Sequence, residues 1–464
     1  MFWTKEELEL LQSLASELQQ GFDPLPETSW PAMTDSEQQA LQQAAQRMQD
    51  NFPYQHPFYL GQMLKPPHRV ARIAYAMAMS LNPNNHALDG GRASSEMERE
   101  CVSKLASMFG WENALGHLCS GGTVANFEAL WVAREVTGGR AIAASSQAHY
   151  THERLSGVLQ VPFVSVPVND RGQLDVNALR ELLESELTPS IGTVVATVGT
   201  TGLGAIDPVR EILSLCSEFD LRVHVDAAYG GYFGLTSTIS ESARRSFEAI
   251  EHADSIVIDP HKHGLQPYGC GCVLFGDPRV AEIYQHDSPY TYFTGGKGHL
   301  GEISLECSRA GAAAVALWTT MQALPLEPGG EFASGLEKSL EAARQLAEWV
   351  RHSNHFQLIV EPELDLVVWM PKGETVSEVS AKSRAFFEAA AERDIHLALI
   401  SLSRPLLEHH GSDLAWDANE VVCLRSCLMK PEHLDWLAEI LRRLEEISEA
   451  VLNRSTSSRT SRAR

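Results

Sequence analysis

The sequence predicts an α/β fold in which helices cover a mostly parallel β-sheet. Between residues 141 and 275, short apolar runs alternate with helical or turn segments, as expected for strands joined by covering helices. Two of these runs lead into reactive polar residues, Asp226 in V-H-V-D-A-A-Y and Lys262 in S-I-V-I-D-P-H-K. Ligands of open α/β sheets bind beyond the carboxyl ends of the strands, so both residues point to one site.

Length and composition bound the class of protein. The 464 residues suffice for about two or three domains. The net charge of −23 argues against nucleic-acid binding, and no apolar run is long enough to span a membrane. The amino terminus lacks an apolar signal core. Eight scattered cysteines without zinc-ligand spacing predict reduced thiols, a cytoplasmic location and no bound metal.

The first 87 residues predict a helical arm. Residues 5–20 form an amphipathic helix, and a second, Gln-rich helix begins near Thr34 after a Pro-rich link. Neither helix resembles an independent domain, so the arm is expected to pack on something larger, such as a second subunit. A polar loop follows a helix around 67–81, and its Asn84, Asn85 and His86 fit either turn-forming and capping roles or ligand binding.

The stretch Cys119–Asn126 places two glycines and two hydroxyls at the start of a helix. Free N–H groups at a helix start bind phosphate, and glycines let the phosphate approach closely. Ser and Thr at such positions also serve simply as caps.

The region 88–330 predicts the large domain. A helix runs from Glu96 to Phe109, another begins at Asp207-Pro208, and Thr200-Thr201, Asp226 and Asp259–Lys262 fall at carboxyl ends of strands. The predicted strands are Ala141–Ala144, Phe163–Val166, Thr193–Val198, Val223–Val225, Ile256–Ile258 and Cys272–Phe275.

From Asp287 onward the sequence pattern changes. The glycine-rich segment from Asp287 to Gly298 predicts a lid or interface loop, and a long Ala-rich helix is expected from Ser304. Residues 331–450 predict a small α+β domain, with strands near 356–360, 364–370, 396–403 and 421–428 and helices at 376–393 and 431–450. The Ser/Arg-rich tail 451–464 is expected to be disordered.

An amine and a carboxylate at neighbouring strand ends match the needs of pyridoxal phosphate (PLP). This cofactor requires a lysine for its aldehyde and an acid to keep its pyridine nitrogen protonated. Taken singly, either residue would more commonly be a solvated surface charge.

Five motifs together resemble the group II PLP-dependent amino acid decarboxylases, which include enzymes acting on glutamate, cysteine sulfinate, aromatic amino acids and diaminobutyrate. The motifs are S-G-G-T-x-A-N from Ser120, S-S-Q-A-H from Ser145, V-G-T-T-G from Val198, H-V-D-A-A-Y-G-G from His224 and D-P-H-K from Asp259. The resemblance runs from about His56 to about Leu441. It implies a fold type I enzyme with a mostly parallel seven-stranded sheet, a small C-terminal domain and a homodimer with shared active sites.

The resemblance also implies roles for individual residues. Lys262 is the expected Schiff-base lysine, Asp226 the partner of the pyridine nitrogen and His149 the histidine stacked on the ring, although a histidine after a strand is often structural. Further cofactor contacts are expected from Gly122, Thr123, Thr201, Ala228, Ser255 and His261.

On the substrate side, Arg425 matches an arginine that holds a substrate carboxylate, and a structural ion pair is the alternative. Gln62 and Asn84 match positions in the branch that acts on acidic substrates. Tyr290 and Tyr292 are the tyrosine candidates for returning a proton to Cα, or else interface aromatics.

The function predicted is therefore an L-amino acid α-decarboxylase that releases CO2 and an amine, acting on an acidic or small polar amino acid. His263-Gly264 follows the lysine where many members of the family have an aromatic residue, and Pro267–Cys272 is similar to a related carbon–carbon lyase branch. Carbon–carbon cleavage or transamination on the same scaffold remains the alternative, and a PLP-binding dimer without turnover is a second one.

Overall fold

The computed structural model describes residues 3–26, 30–86, 88–285, 303–408 and 414–452. In this part of the chain, seven strands form one large sheet in the order β1-β7-β6-β5-β4-β2-β3. They are β1 (Leu115–Cys119), β2 (Ala141–Ser145), β3 (Phe163–Val166), β4 (Ile191–Thr197), β5 (Arg222–Asp226), β6 (Ser255–Ile258) and β7 (Gly271–Phe275).

Five neighbouring strands of this sheet, from β6 to β3, run parallel, and β7 and β1 close one edge in antiparallel pairings. Every residue of β4 is buried because helices cover both faces of the sheet. The alternation of apolar runs located six of the seven strands. It did not identify β1, whose sequence Leu-Gly-His-Leu-Cys lacks β-branched residues.

The described part of the chain contains fifteen α-helices, numbered in chain order. They are α1 (Lys5–Gln20), α2 (Asp35–Met48), α3 (Arg69–Met79), α4 (Leu88–Met108), α5 (Gly122–Thr137), α6 (Thr151–Leu159), α7 (Val176–Glu184), α8 (Val209–Glu218), α9 (Glu241–Ala249), α10 (Ala281–Tyr284), α11 (Gly311–Ala323), α12 (Glu331–His352), α13 (Val376–Ala391), α14 (Arg404–Glu408) and α15 (Glu432–Val451).

The Ala-rich helix α11 starts at Gly311 and not at Ser304, as the sequence had suggested. The preceding residues follow a non-helical path on which Arg309 donates hydrogen bonds to the Leu118 carbonyl at 2.7 Å and to the buried Glu98. A buried guanidinium needs these acceptors, and they fix the chain before the helix begins.

A second sheet of four antiparallel strands, in the order β10-β11-β9-β8, lies in the C-terminal part of the chain. Its strands are β8 (Phe356–Leu358), β9 (Leu366–Pro371), β10 (Ala398–Ser403) and β11 (Glu420–Cys427). Phe58 and Leu60 belong to the apolar core beneath this sheet, although they precede it by about 300 residues of chain. The segment before α3 therefore ties the beginning of the chain to its C-terminal part.

Helices α1 and α2 contain no buried residue. α1 is held to α3 by the ion pair of Glu7 with Arg72 at 3.4 Å. No helix among the described residues is long and apolar enough to cross a lipid bilayer.

Candidate functional site

The carboxyl ends of β4, β5 and β6 open onto a cavity of about 380 Å³. Polar side chains from separate parts of the chain line it, because parallel strands end at the same edge of the sheet. The residues that the sequence singled out and that line this cavity are Gly122, Thr123, His149, Thr201, Asp226, Ala228, His261 and Lys262.

Asp226 is the last residue of β5 and is buried. His152 Nε2 lies 2.9 Å from Asp226 Oδ2, and the Ala228 N–H donates to Oδ1 at 3.1 Å. Burial on its own would raise the pKa of Asp226, but the hydrogen bond and charge of His152, with further help from Lys262, hold this pKa below its usual value. The carboxylate is therefore ionised at neutral pH.

Lys262 follows β6 after a short turn in which its N–H donates to the Asp259 carbonyl at 2.9 Å. Its Nζ lies 3.2 Å from Asp259 Oδ2, and 24% of its side chain is exposed. Asp259 itself is buried, and its Oδ1 has no hydrogen-bond partner among the described residues. The amine thus stands at the cavity surface beside a buried carboxylate.

The start of α5 forms another wall. No side chain caps this helix, and Gly121 precedes it with φ of 151°. A Cβ on Gly121 would lie 3.1 Å from His261 Cε1, and one on Gly122 would lie 2.6 Å from Asp259 Oδ2. Only glycine fits both positions, and the uncapped N–H groups face a space suited to an anion.

His149 lies in the cavity wall after β2. Its Nδ1 is 2.6 Å from Thr151 Oγ1, which fixes the orientation of the ring, and burial lowers its pKa below the usual value. The imidazole is therefore neutral near pH 7 and offers an apolar face. His261 is held in a similar state, because burial lowers its pKa too.

The structure does not bring Ser255 to the cavity. Ser255 is the first residue of β6, so it enters the sheet at the edge opposite to Lys262, and its Oγ lies 2.8 Å from His224 Nδ1. His224 Nε2 in turn lies 2.8 Å from Asn126 Oδ1. Ser255 thus supports Asn126, which does line the cavity.

Arg425, on β11 of the second sheet, is not among the lining residues but contacts Thr201, which is. Its guanidinium donates to the Thr201 carbonyl and to Gln62 Oε1, both at 2.8 Å. The residue is buried, and within the described ranges no carboxylate lies within 4.0 Å of it. Gln62 and Arg425 are therefore neighbours beside Thr201, which itself lines the cavity.

Asn84 is not among the lining residues. Its Oδ1 accepts from the N–H groups of His86 and Arg309, at 3.1 and 3.0 Å, and its Nδ2 donates to Ser308 Oγ at 3.1 Å. These contacts make it a turn residue in this chain. Tyr290 and Tyr292 lie outside the described residues, as does the glycine-rich segment that contains them.

Sequence reasoning missed His152 and gave Asp259 no role of its own. His152 lies three residues after His149 and is the second residue of α6, whereas His149 precedes the helix. Asp259 is separated from Lys262 by the same interval. This three-residue spacing was the available signal. It shows neither that His152 contacts Asp226 nor that Asp259 contacts Lys262.

Comparison with known proteins agrees with this site. Residues 22–372 match the family model described as the pyridoxal-dependent decarboxylase conserved domain. A probable L-tyrosine/L-aspartate decarboxylase of Methanothermobacter thermautotrophicus is 31% identical over 314 residues, which cover 67% of this chain and 82% of the relative. An L-aspartate decarboxylase of Thermococcus kodakarensis is 27% identical over 389 residues, covering 83% of this chain and 98% of the relative.

Solved structures confirm the fold. Oryza sativa TDC with PLP and tryptamine aligns with a TM-score of 0.76 at 19% identity, covering 96% of this chain and 95% of that one. Mouse CSAD aligns with a TM-score of 0.74 at 21% identity, with 92% of each chain covered. The predicted α/β class with a mostly parallel seven-stranded sheet and a second, small sheet is therefore correct.

Proposed function

We propose how this chain, which belongs to the pyridoxal-dependent decarboxylase family and is an amino acid carboxy-lyase that uses PLP, holds its cofactor and its substrate. The observation that carries the proposal is the meeting of Asp226 and Lys262 in one cavity, beside the uncapped start of α5. The decarboxylase function predicted from the sequence is confirmed by the family, while the roles of individual residues are the proposal.

The residues of the cavity fit PLP. Lys262 would hold the cofactor covalently through its aldehyde, and Asp226 would pair with the pyridine nitrogen. The N–H groups of Gly122 and Thr123 would take the phosphate, because no side chain caps that helix start. His149 would lie against the ring, with Ala228 and Thr201 completing the walls.

When bound, PLP supplies an electron sink for the pair left at Cα when CO2 departs. The ionised Asp226 keeps the proton on the pyridine nitrogen, and His152 keeps Asp226 in place at 2.9 Å. Asp259 holds the Lys262 amine at the cavity surface, where Nζ can accept or donate a proton. His149, a neutral imidazole, excludes water from one face of the site.

We assign the substrate to the acidic amino acids, with L-aspartate as the first candidate. Arg425 is a buried cation whose hydrogen-bond partners in the described part of the chain, Gln62 and the Thr201 carbonyl, are neutral, and no carboxylate of that part lies within 4.0 Å to supply a compensating negative charge. A substrate carboxylate would supply that charge in bidentate geometry. The carboxylate that is kept suits Arg425 best, because an ion pair to the departing one would stabilise the ground state and slow its loss as CO2.

The proposal includes a homodimer in a reducing cytoplasm. Support for the dimer comes from α1 and α2, which bury no residue within the chain. Support for the compartment comes from the eight cysteines, which are all unpaired and of which only Cys307 is exposed.

The substrate assignment is tested by CO2 release from the PLP-loaded protein with L-aspartate, L-glutamate and L-tyrosine. We expect L-aspartate to give the highest kcat/KM. Arg425→Gln should lower kcat/KM for L-aspartate by about 10- to 100-fold, since a charged hydrogen-bonding partner is lost. The variant should lower the value for L-tyrosine far less. Faster turnover of L-tyrosine, or an equal loss for both substrates, would refute the assignment.

A further inference from the structure

A second cavity, of about 550 Å³, lies where the first turns of α3, α12 and α15 meet. Its lining shares no residue with the site described above. It includes Lys65, Lys430 and His263, the residue that directly follows Lys262. None of these takes part in the decarboxylation proposed above, so the cavity calls for a separate explanation.

Two lysines make this cavity unusual. Lys430 is 3% exposed, and its Nζ donates to the Tyr59 carbonyl at 2.8 Å. Lys65 Nζ donates to the Met429 carbonyl at 3.3 Å and lies 3.5 Å from His263 Nδ1. In the ranges that the structure describes, neither amine has a carboxylate within 4.0 Å. Lys430 is buried and Lys65 is half-buried, and ammonium groups in such surroundings with no carboxylate in direct contact are unfavourable, so the cavity suits a negatively charged guest.

The charge balance of the lining points the same way. Lys and Arg contribute five side chains and Glu contributes three. One glutamate, Glu7, is already paired with Arg72, and the other two, Glu331 and Glu432, are the first residues of α12 and α15. The lining therefore carries an excess of two positive charges, and Glu432 is the lining carboxylate that acts on both Lys65 and Lys430.

The helix starts add to this excess. Neither α12, of 22 residues, nor α15, of 20 residues, has a side-chain cap on its first N–H groups. The positive ends of both helices thus border the same space as the two lysines. The two lysines, which contact no carboxylate in the described ranges, and the two uncapped helices are independent features. Both favour a negatively charged ligand.

We propose that this cavity binds a small dianionic oxyanion, phosphate or a phosphate monoester, between Lys65 and Lys430. Without a guest, burial lowers the pKa of Lys65 to about 8 and that of Lys430 to about 7, with each lysine's neighbours adding smaller effects. A bound dianion favours the charged amines and therefore raises both pKa values, so the protein takes up protons when it binds the dianion.

The test uses the PLP-loaded protein, so that the cofactor's own phosphate position is filled, and titrates it with inorganic phosphate and separately with glycerol phosphate by calorimetry. We expect one saturable site per chain. Lys430→Met should weaken binding by about tenfold or more, the loss expected for one charged hydrogen-bond donor. Lys104→Met, which removes the same charge from an exposed position on α4, should leave the affinity unchanged.

Thermal unfolding separates loss of the site from loss of the fold. In phosphate-free buffer, Lys430→Met should be at least as stable as the parent, because it removes an uncompensated buried charge. Added phosphate should raise the Tm of the parent and of Lys104→Met but not that of Lys430→Met. Lys65→Met serves as the second variant and should behave like Lys430→Met. Equal stabilisation of all variants, or no saturation up to about 10 mM of either probe, would overturn the proposal.

Discussion

Asp226 keeps its charge in a buried position because another buried side chain supports it. His152 is fully buried, and its Nε2 faces Asp226 Oδ2 at 2.9 Å. His152 is not among the residues that line the cavity, so it is a positioning residue for the carboxylate. Its influence on activity is exerted through the protonation and orientation of Asp226.

Replacing His152 should therefore shift a pH profile and not only reduce a rate. In His152→Ala the effect of burial on Asp226 loses its main opposing interaction, so the pKa of the carboxyl rises. The acid side of the kcat–pH profile should then move to higher pH, and kcat near neutral pH should fall by about tenfold or more. The measurement is CO2 release across pH at saturating substrate.

His152→Gln is the matched control, because an amide N–H can still donate to Asp226. It should recover part of kcat and return the acid limb towards that of the parent. If the alanine variant loses activity with an unchanged pH profile, His152 serves the fold alone.

At this scale the sequence identified the chemistry but not its supports. Asp226 and Lys262 could be predicted, since each closes an apolar run in a conspicuous motif. The contact between His152 and Asp226 joins residues 74 positions apart, and no local pattern reports such a distance. Ser255 was predicted to contact the cofactor because its motif was considered without the direction of its strand, which puts Ser255 at the edge of the sheet opposite to Lys262.

Among the elements, α5 links the sheet to the cofactor. It begins directly at the cavity, and the glycines before and at its start allow Asp259 and His261 to approach. The helix could be predicted from its glycines and its apolar face. Which groups come close to those glycines could not, because Asp259 and His261 arrive from a different part of the chain.

Gly122→Ala should weaken PLP binding. Its Cβ would lie 2.6 Å from Asp259 Oδ2, so the start of α5 or the Asp259 turn must shift. We expect the Kd for PLP to rise by about tenfold, because the shift would weaken one contact to the phosphate. The measurement is a titration of cofactor-free protein with PLP, followed by absorbance.

Gly157→Ala provides the control, since a Cβ there meets nothing within 4 Å. This position lies inside α6, where alanine favours the helix, so the variant should bind PLP normally and unfold at an equal or higher temperature. Equal affinities in the two variants would show that the start of α5 does not hold the phosphate.

At the scale of the whole molecule, the two sheets meet through the site. Arg425 on β11 donates to the Thr201 carbonyl beyond β4, so the substrate side of the cavity depends on both sheets. The four strands of the second sheet were predicted close to their observed bounds, because each is a short run rich in apolar residues, but their antiparallel pairing was not predicted. The packing of Phe58 and Leu60 beneath this sheet was not predicted either, since a short apolar stretch gives no sign of a partner about 300 residues away.

The helical arm is the part of the molecule that lacks a core of its own. Leu41 and Met48 lie one heptad apart on α2, and they are 60% and 68% exposed. Apolar side chains repeated on one face of a helix indicate a packing partner. A second copy of the chain would cover this face, which supports the homodimer proposed above.

Leu41→Glu combined with Met48→Glu should weaken the dimer, because two charges would be buried without partners at the contact. We expect the dimer dissociation constant to rise by at least about tenfold, measured by sedimentation velocity over a dilution series. Leu187→Glu is the matched control: Leu187 is 96% exposed between α7 and β4, away from the arm, and its substitution should leave the assembly unchanged. If the double variant sediments like the parent at every concentration, the dimer contact lies elsewhere. If the parent itself sediments as a single chain, the exposed face of the arm has a different role, and a site shared between subunits is ruled out.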